Sequence, residues 1–145
     1  MPIAYTKRVI TLEEIQGILL LEENWLLDMK GKDIRPAKFS RTISAFANTN
    51  GGEIYLGISR AEDKTEYYWD GFVDEESFNP YTTLLDEVLP SYESYVIDAY
   101  EHPTDKTWVF HITVHKTNSI IYASDKKAYQ RSGVQNLPCD TTEKL

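Results

Sequence analysis

Several residue types that build common functional sites are scarce in this chain of 145 residues. Its one cysteine, Cys139, excludes an internal disulfide framework and a zinc site made of cysteines. The three histidines lack the spacing of a helical metalloprotease motif, which disfavours a metal site based on imidazole. No apolar run is long enough to span a bilayer and no leader-like segment is present, so we expect a cytoplasmic protein with no membrane association.

Positive charge is also in deficit, because the formal net charge is −8. An acidic chain repels polyanions at long range, which disfavours a protein that coats DNA without specificity. Cations are nevertheless concentrated in two places, at Lys30, Lys32, Arg35, Lys38 and Arg41, and at Lys126, Lys127 and Arg131. A basic face on an acidic body is one interpretation, and solvated charges on a helix surface are the other.

Helical signals occupy three stretches of the sequence. "TLEE" at 11–14 is a capping box that predicts a short helix to about residue 20. Pro36 suits the first turn of a helix, and an apolar stripe continues that helix to Thr49. A third helix is predicted over 79–89, where it stops before a proline.

Strand signals alternate with these helices. Strands are predicted over 25–31, 53–59 and 67–72, in a hairpin over 95–114, and in a second hairpin whose arms are 119–124 and 128–132. In the stretch 53–59, alternation of apolar residues predicts one strand with one packed face. This order predicts an α+β (mixed α/β) single domain, with a mixed, largely antiparallel sheet packed by two or three helices.

The stretch "NTNGG" at 48–52 joins the most apolar helix to the clearest strand. Asn48, Gly51 and Gly52 suit a helix stop, because asparagine and glycine tolerate the left-handed conformation that such a stop requires. The same glycines would let a phosphate approach the backbone beside Lys30, Lys38 and Arg41. We expect the first role and hold the second as a hypothesis.

Two further pairs of residues are candidates for chemistry. Glu23 and Asp28 would contribute hard oxygen ligands to a divalent cation if a third carboxylate joined them, or they are simply exposed acids at a junction. Tyr129 and Arg131 would stack on a base and bind a phosphate, or they are an edge-strand aromatic beside a solvated charge.

Three pieces of sequence together resemble the Schlafen AlbA-type domain family. They are Glu23-x4-Asp28-x-Lys30, then "TISAFANTNGGEIYLGI", then "AYQRSG". The resemblance divides the chain into an N-terminal helical segment at 1–20, the domain at 21–135 and a C-terminal tail at 136–145. In relatives a helix would begin in that tail, so we expect the chain to be a fragment of a longer protein.

The resemblance implies a nucleic-acid-binding module for RNA or DNA, used beside regulatory or defence domains. In one branch of the family it implies cleavage of transfer RNA by three acids that bind Mg²⁺ or Mn²⁺. Glu23 and Asp28 match two of these acids, and Lys30 would assist them. The third position falls at 59–61, where the chain has Ser-Arg-Ala, so Glu62 or Asp63 would have to substitute. The resemblance also implies ATP binding, but this sequence contains no lysine-containing phosphate loop.

Our preferred interpretation is a nucleic-acid-binding module rather than an enzyme. Its predicted contacts are Lys30, Lys38, Arg41, Asn48, Gly51, Gly52, Tyr129 and Arg131. The first alternative is a metal-dependent endoribonuclease with Glu23, Asp28 and Asp63 as ligands. The second is a protein-interaction or oligomerisation domain that presents the aromatic residues at 67–69, and a homodimer is compatible with all three.

Overall fold

The computed structural model describes residues 5–62 and 65–139. In chain order its helices and strands are β1 (Thr6–Val9), α1 (Leu12–Leu19), β2 (Leu27–Lys30), α2 (Pro36–Asn48), β3 (Gly52–Leu56), β4 (Ile58–Arg60), β5 (Tyr67–Trp69), α3 (Asn79–Val88), β6 (Tyr95–Glu101), β7 (Trp108–Val114), β8 (Tyr129–Ser132) and β9 (Gln135–Pro138). Among these residues, no helix has the length and apolar content needed to cross a membrane.

A five-stranded sheet in the order β1-β6-β7-β3-β2 forms the centre of the domain. Strands β6, β7 and β3 pair antiparallel, whereas β1 joins β6 and β2 joins β3 in parallel at the two edges. Three helices accompany this mixed sheet, which confirms the predicted α+β single domain. Strand β1 was not anticipated, so the segment 1–20 contains a strand of the main sheet as well as α1.

Helix α2 forms the principal core contact with one face of the sheet. Proline at its first turn and the apolar stripe that follows produce the helix as predicted. Phe39, Ile43 and Phe46 are fully buried and belong to one cluster with Ile54 and Phe110 of the sheet. Helix α3 completes this cluster. The side of α2 that faces residues 119–131 is held by hydrogen bonds and by the packing of Ala45 against Ala123 and Tyr129.

The prediction of one strand over 53–59 with a single packed face is wrong. Strand β3 ends at Leu56, and Gly57 adopts a positive φ of 110° that breaks the strand. Residues 58–60 then form β4, which pairs with β5 in a separate two-stranded sheet. Both faces of β3 are buried, because Tyr55 packs with β4 and part of α1 in a second apolar cluster.

The second predicted hairpin forms its turn, where the Ala123 N–H donates to the Lys127 carbonyl at 2.8 Å, but its arms do not pair as two strands. Residues 122 and 128 form only an isolated bridge, and β8 pairs instead with β9 around a turn at Gly133. The backbone of 119–124 is engaged by side chains of α2, so it is not available to pair with β8 as a strand. Because β9 spans Gln135–Pro138, the predicted tail at 136–145 begins inside a strand. Residues 140–145 lie outside the described part of the chain.

Candidate nucleic-acid interface

A cleft of about 400 Å³ lies where β2 ends and α2 begins. Lys30 is the last residue of β2, and the short loop that follows leads directly into the first turn of α2. The cleft is lined by three cations, Lys30, Arg35 and Lys38. Two acids, Asp33 and Asp70, and the Ser59 hydroxyl line it as well. The local sequence thus brings cations from a strand end and a helix start to one surface.

Gly31 and Ser59 are close neighbours in the lining of the cleft. A Cβ atom on Gly31 would lie 2.5 Å from Oγ of Ser59, so a larger residue at 31 would require the serine side chain to move. The Ser59 hydroxyl donates a hydrogen bond of 2.7 Å to Oδ2 of Asp70, and Lys32 Nζ lies 3.5 Å from Oδ1 of the same carboxylate. The charge of Asp70 is therefore neutralised by its neighbours.

Arg35 and Lys38 are cations of the cleft without an ion-pair partner among the described residues, and the exposed carboxylate of Asp33, also without one there, offsets part of their charge. Both side chains are exposed, and neither forms an ion pair within residues 5–62 and 65–139. Arg35 precedes the first turn of α2 without a side-chain hydrogen bond to the helix start. The partial positive charge at a helix N-terminus adds to these cations, so the surface favours an anion.

The predicted acids Glu23 and Asp28 lie together beneath this surface. Asp28 is only 1% exposed, and Glu23 accepts a hydrogen bond of 3.0 Å from the backbone N–H of Met29. Burial raises the pKa of Asp28 to about 7, and the hydrogen bond to Glu23 adds to the rise while Lys30 opposes it. Burial also acts on Glu23, but its hydrogen bonds to Asp28 and Met29 lower its pKa overall. Burial and the neighbouring Glu23 therefore both oppose ionisation of Asp28.

Three cations surround this acidic pair. Lys30 Nζ and Arg131 Nη1 lie 3.0 and 3.5 Å from Oδ2 of Asp28, and Arg60 Nη2 lies 3.6 Å from Oε1 of Glu23. A divalent cation would have to displace these groups, and no set of three ligand residues is found in the described ranges. The described residues alone therefore do not make up the three-acid site that the resemblance implied, and the site with Asp63 stays a prediction. Glu62 is exposed, and Asp63 lies outside the described residues.

Arg131 does not lie on the surface, where the sequence interpretation put it. Its side chain is fully buried, and its guanidinium donates hydrogen bonds to the carbonyl oxygens of Asn24 and Leu27 and to the Asn136 side chain. It also packs 4.9 Å from the ring centre of Phe46. Its Nη1 and Nη2 atoms donate inside the domain, and Nε is buried without a hydrogen-bond partner among the described residues, so Arg131 is not part of the interface.

The glycines at 51 and 52 lie at the opposite end of the sheet from the cleft. Gly52 begins β3 and pairs with Val114, whereas Lys30 pairs with Leu56 at the other end of the same strand. Gly51 has a φ of 75° and ends α2 as predicted, but it packs against the carbonyl of Val114. The hypothesis that these glycines open the backbone beside Lys30, Lys38 and Arg41 is therefore wrong.

Asn48 belongs to a buried polar stripe on α2. Its amide donates to the carbonyl oxygens of Ile121 and Tyr129 at 2.8 and 3.0 Å, and its Oδ1 accepts from the N–H of Ile121 at 2.8 Å. Ser40 and Ser44, at steps of four residues, bond to the same segment of the chain. The i, i+4, i+8 spacing of these polar residues is visible in the sequence. It indicates a helix face that is hydrogen-bonded to another segment of the chain.

Arg41 and Tyr129 form a separate contact on the outer side of α2. The Arg41 guanidinium lies 5.8 Å from the centre of the Tyr129 ring and 3.6 Å from the carboxylate of Asp125. The hydroxyl of Tyr129 donates to that carboxylate, and the residue is 5% exposed. Little of the ring remains for a base to stack on.

Of the aromatic residues at 67–69, only Tyr68 is substantially exposed. The Arg60 guanidinium covers the ring of Tyr67 at 4.5 Å, and Trp69 donates a hydrogen bond of 2.9 Å to the Thr107 hydroxyl. Both residues pack against the second apolar cluster. The exposed aromatic surface predicted there is correspondingly small.

These features define a single α+β domain with a cationic cleft at one end of its central sheet, above a neutralised acidic pair. The chain belongs to the Schlafen AlbA_2 family, whose model "Schlafen, AlbA_2" matches residues 23–140. The resemblance seen in the sequence is thereby confirmed.

Among solved structures, the chain is similar in fold to the DIP2311 protein from Corynebacterium diphtheriae. The TM-score is 0.58 at 20% sequence identity over 89% of this chain. The match covers 26% of the DIP2311 chain, so the present chain spans about a quarter of the length of that relative. No curated protein matches the chain.

Proposed function

We propose that this domain is a nucleic-acid-binding module that holds phosphates in the cleft between β2 and α2. The observation that carries the proposal is the pair of exposed cations Arg35 and Lys38 at the first turn of α2, beside Lys30, neither with an ion pair in the described part of the chain. On a chain of net charge −8, such a concentration of free positive charge marks the surface that a polyanion would approach. Membership of the Schlafen AlbA_2 family supports the same class of ligand.

Arg60 is not part of the cleft lining and contacts the acidic pair from elsewhere. It is about half exposed, and its guanidinium contacts the Glu23 carboxylate. In the sequence it falls within 59–61, where the resemblance implies a third acid. Since Lys30, Arg60 and Arg131 already occupy the positions around Glu23 and Asp28, we propose binding that needs no divalent metal and that is not followed by cleavage.

The test is a salt titration of binding to labelled transfer RNA, single-stranded RNA and duplex DNA, each with EDTA and with Mn²⁺. The double variant Arg35→Glu with Lys38→Glu should bind more weakly. The slope of log affinity against log salt should become shallower by about 0.7 to 0.9 for each phosphate that the variant no longer neutralises. Lys116→Glu makes the same kind of charge reversal beside Gly51 at the far end of the sheet, and it should leave the slope unchanged.

Equal effects of the cleft variant and the control would mean that the cleft is not the binding surface. Retention in EDTA without product is the expected result for the wild-type domain. Cleavage that requires Mn²⁺ and is abolished in Asp28→Asn would instead establish the nuclease alternative.

A further inference from the structure

Among the residues that the structure describes, Asp33 is the acid of the cleft whose carboxylate has no partner. It lines the cleft together with the three cations and is exposed, and no hydrogen bond or ion pair reaches it from residues 5–62 or 65–139. The other acid of the cleft, Asp70, is held by Ser59 and Lys32. An unpaired carboxylate repels phosphates, so Asp33 weakens the binding of a nucleic acid unless that ligand offers it a hydrogen-bond donor.

Asp33 belongs to a turn that other groups hold in place. The Ile34 N–H donates to the carbonyl oxygen of Gly31 at 3.2 Å. The buried Tyr81 hydroxyl donates to the carbonyl oxygens of Lys32 and Ile34 at 3.2 and 2.5 Å. An aspartate in a turn commonly accepts a hydrogen bond from the nearby backbone and so stabilises the turn. The carboxylate of Asp33 accepts none from the described residues, so the turn does not use it and a ligand can.

A nucleic-acid strand offers a donor on the sugar beside each phosphate only when it is RNA. The ribose 2′-hydroxyl is a donor that DNA lacks, and its carbon adjoins the carbon that bears the 3′ phosphate. Asp33 is two residues from Arg35, so their Cα atoms lie at most about 7 Å apart. A strand whose phosphate is bound at Arg35 therefore has the adjoining sugar near Asp33. Amino groups of the bases are also donors, but they lie across the sugar from the phosphate.

We propose that Asp33 is the residue with which the cleft distinguishes RNA from DNA. Its carboxylate accepts a hydrogen bond from the 2′-hydroxyl of a nucleotide whose phosphate lies against Arg35 and Lys38. This inference rests on the proposed function and names the class of nucleic acid that the same cleft selects. Recognition of a base amino group, and an acid that only lowers the charge of the cleft, are outcomes of the test.

The experiment measures the affinity of the wild-type domain and Asp33→Ala for three fluorescein-labelled single strands at one salt concentration. The strands are oligouridine RNA, oligodeoxyuridine of the same length, and 2′-O-methyl oligouridine, which keeps the ribose oxygen but has no hydroxyl donor. The wild-type domain should bind the RNA about tenfold more tightly than the other two, because a hydrogen bond to a charged group is a strong one. In Asp33→Ala the affinity for RNA should fall while the affinity for the other strands rises, so the preference disappears. Asp86→Ala removes an exposed acid on α3 and should keep the preference.

The opposite signs of the two changes separate selection from simple repulsion. An equal rise in affinity for all three strands in Asp33→Ala would overturn the inference, since the acid would then only lower the charge of the cleft. Wild-type binding of the 2′-O-methyl strand as tightly as RNA would overturn it as well, and so would an RNA preference that survives in Asp33→Ala. Affinity that depends on Asp33 for cytidine strands of both sugar types, but not for uridine strands, would assign the carboxylate to a base amino group instead.

Failure of the inference is distinguishable from failure of the proposed function. Equal wild-type affinity for RNA and DNA, with both weakened in Arg35→Glu/Lys38→Glu, would overturn the role of Asp33 and leave the proposed function standing. If the wild-type domain binds none of the strands, both proposals fail. Circular dichroism of each variant establishes that the fold is retained.

Discussion

Arg131 Nη1 lies 3.5 Å from Oδ2 of Asp28, and both side chains are almost completely buried. The sequence places these residues in separate motifs, one near each end of the domain, and the fold joins them. The same guanidinium holds the turn that carries Trp25. One buried cation therefore links the acidic pair to the turn at 24–27.

Replacing Arg131 with methionine should destabilise the domain strongly. The change leaves Asp28 with one cationic partner and leaves two carbonyl groups without their donor, so we expect a decrease of about 3 to 5 kcal/mol in the free energy of unfolding. The measurement is urea denaturation followed by circular dichroism. Arg41→Met removes an exposed pair with Asp125 and should cost less than about 1 kcal/mol. Equal decreases in the two variants would contradict the structural role of Arg131.

The raised pKa of Asp28 predicts a pH dependence of stability with a definite sign. Between its ordinary value of 3.8 and about 7, the folded state holds a proton that the unfolded state has released. This carboxyl therefore lowers stability as the pH rises through that window, and its full cost is present above pH 7. The lowered pKa of Glu23 acts only at more acidic pH, where stability decreases as that group protonates.

Asp28→Asn isolates this contribution, because the amide does not titrate. Between about pH 5 and pH 8 the wild-type domain should lose about 1 kcal/mol or more of unfolding free energy relative to the variant. Chemical denaturation of both proteins at the two pH values measures the difference. Parallel profiles would show that Asp28 is already ionised in the folded protein at the lower pH.

Gly51 and Gly133 form a matched pair for testing close packing. Both have positive φ angles, of 75° and 58°, but a Cβ on Gly51 would lie 2.7 Å from the carbonyl oxygen of Val114, whereas a Cβ on Gly133 meets nothing within 4 Å. Gly133→Ala should cost only the backbone strain, about 1 kcal/mol. Gly51→Ala should destabilise the domain clearly more. The measurement is the fall in the thermal unfolding midpoint of each variant. Similar midpoints would mean that backbone conformation alone selects glycine at 51.

Asn48→Ala separates a structural role from nucleic-acid contact. Removal of the amide leaves the N–H and C=O of Ile121 without these bonds inside the protein, so stability should fall by about 2 kcal/mol or more. The salt slope of RNA binding should be unchanged. Asn50→Ala, at an exposed neighbouring position, serves as the control for stability. If the Asn48→Ala domain folds and its salt slope of RNA binding is reduced, Asn48 contacts the nucleic acid and the structural role is contradicted.

The sequence predicted the elements that depend on local signals. The capping box at Thr11, the proline start of α2 and the hairpin of β6 with β7 were all found as expected, because each is specified by neighbouring residues. The pairing of β1 with β6 and the docking of residues 119–131 on α2 depend on distant partners, which periodicity does not reveal.

The candidate site was predicted in part for the same reason. The concentration of cations at 30–41 and the pairing of Glu23 with Asp28 were visible in the sequence. Burial of Arg131 was not, since an arginine in a short polar strand has the same sequence signature whether it faces water or Asp28. The position of Gly51 and Gly52 far from Lys30 follows from strand register, which appears only once the sheet is assembled.

The parallel edge strand β1 has a consequence for how the domain is made. Thr6 pairs with Asp98, a separation of 92 residues, so β1 leaves the ribosome long before the strand with which it pairs. Strand β6 must be in place before β1 has an edge to join. During synthesis the N-terminal strand is therefore an unpaired edge for several seconds, at a typical rate of about 5 to 20 residues per second. All four residues of β1 are exposed and two of them are basic. A short charged strand resists pairing with other chains, so β1 is protected from aggregation while it is unpaired.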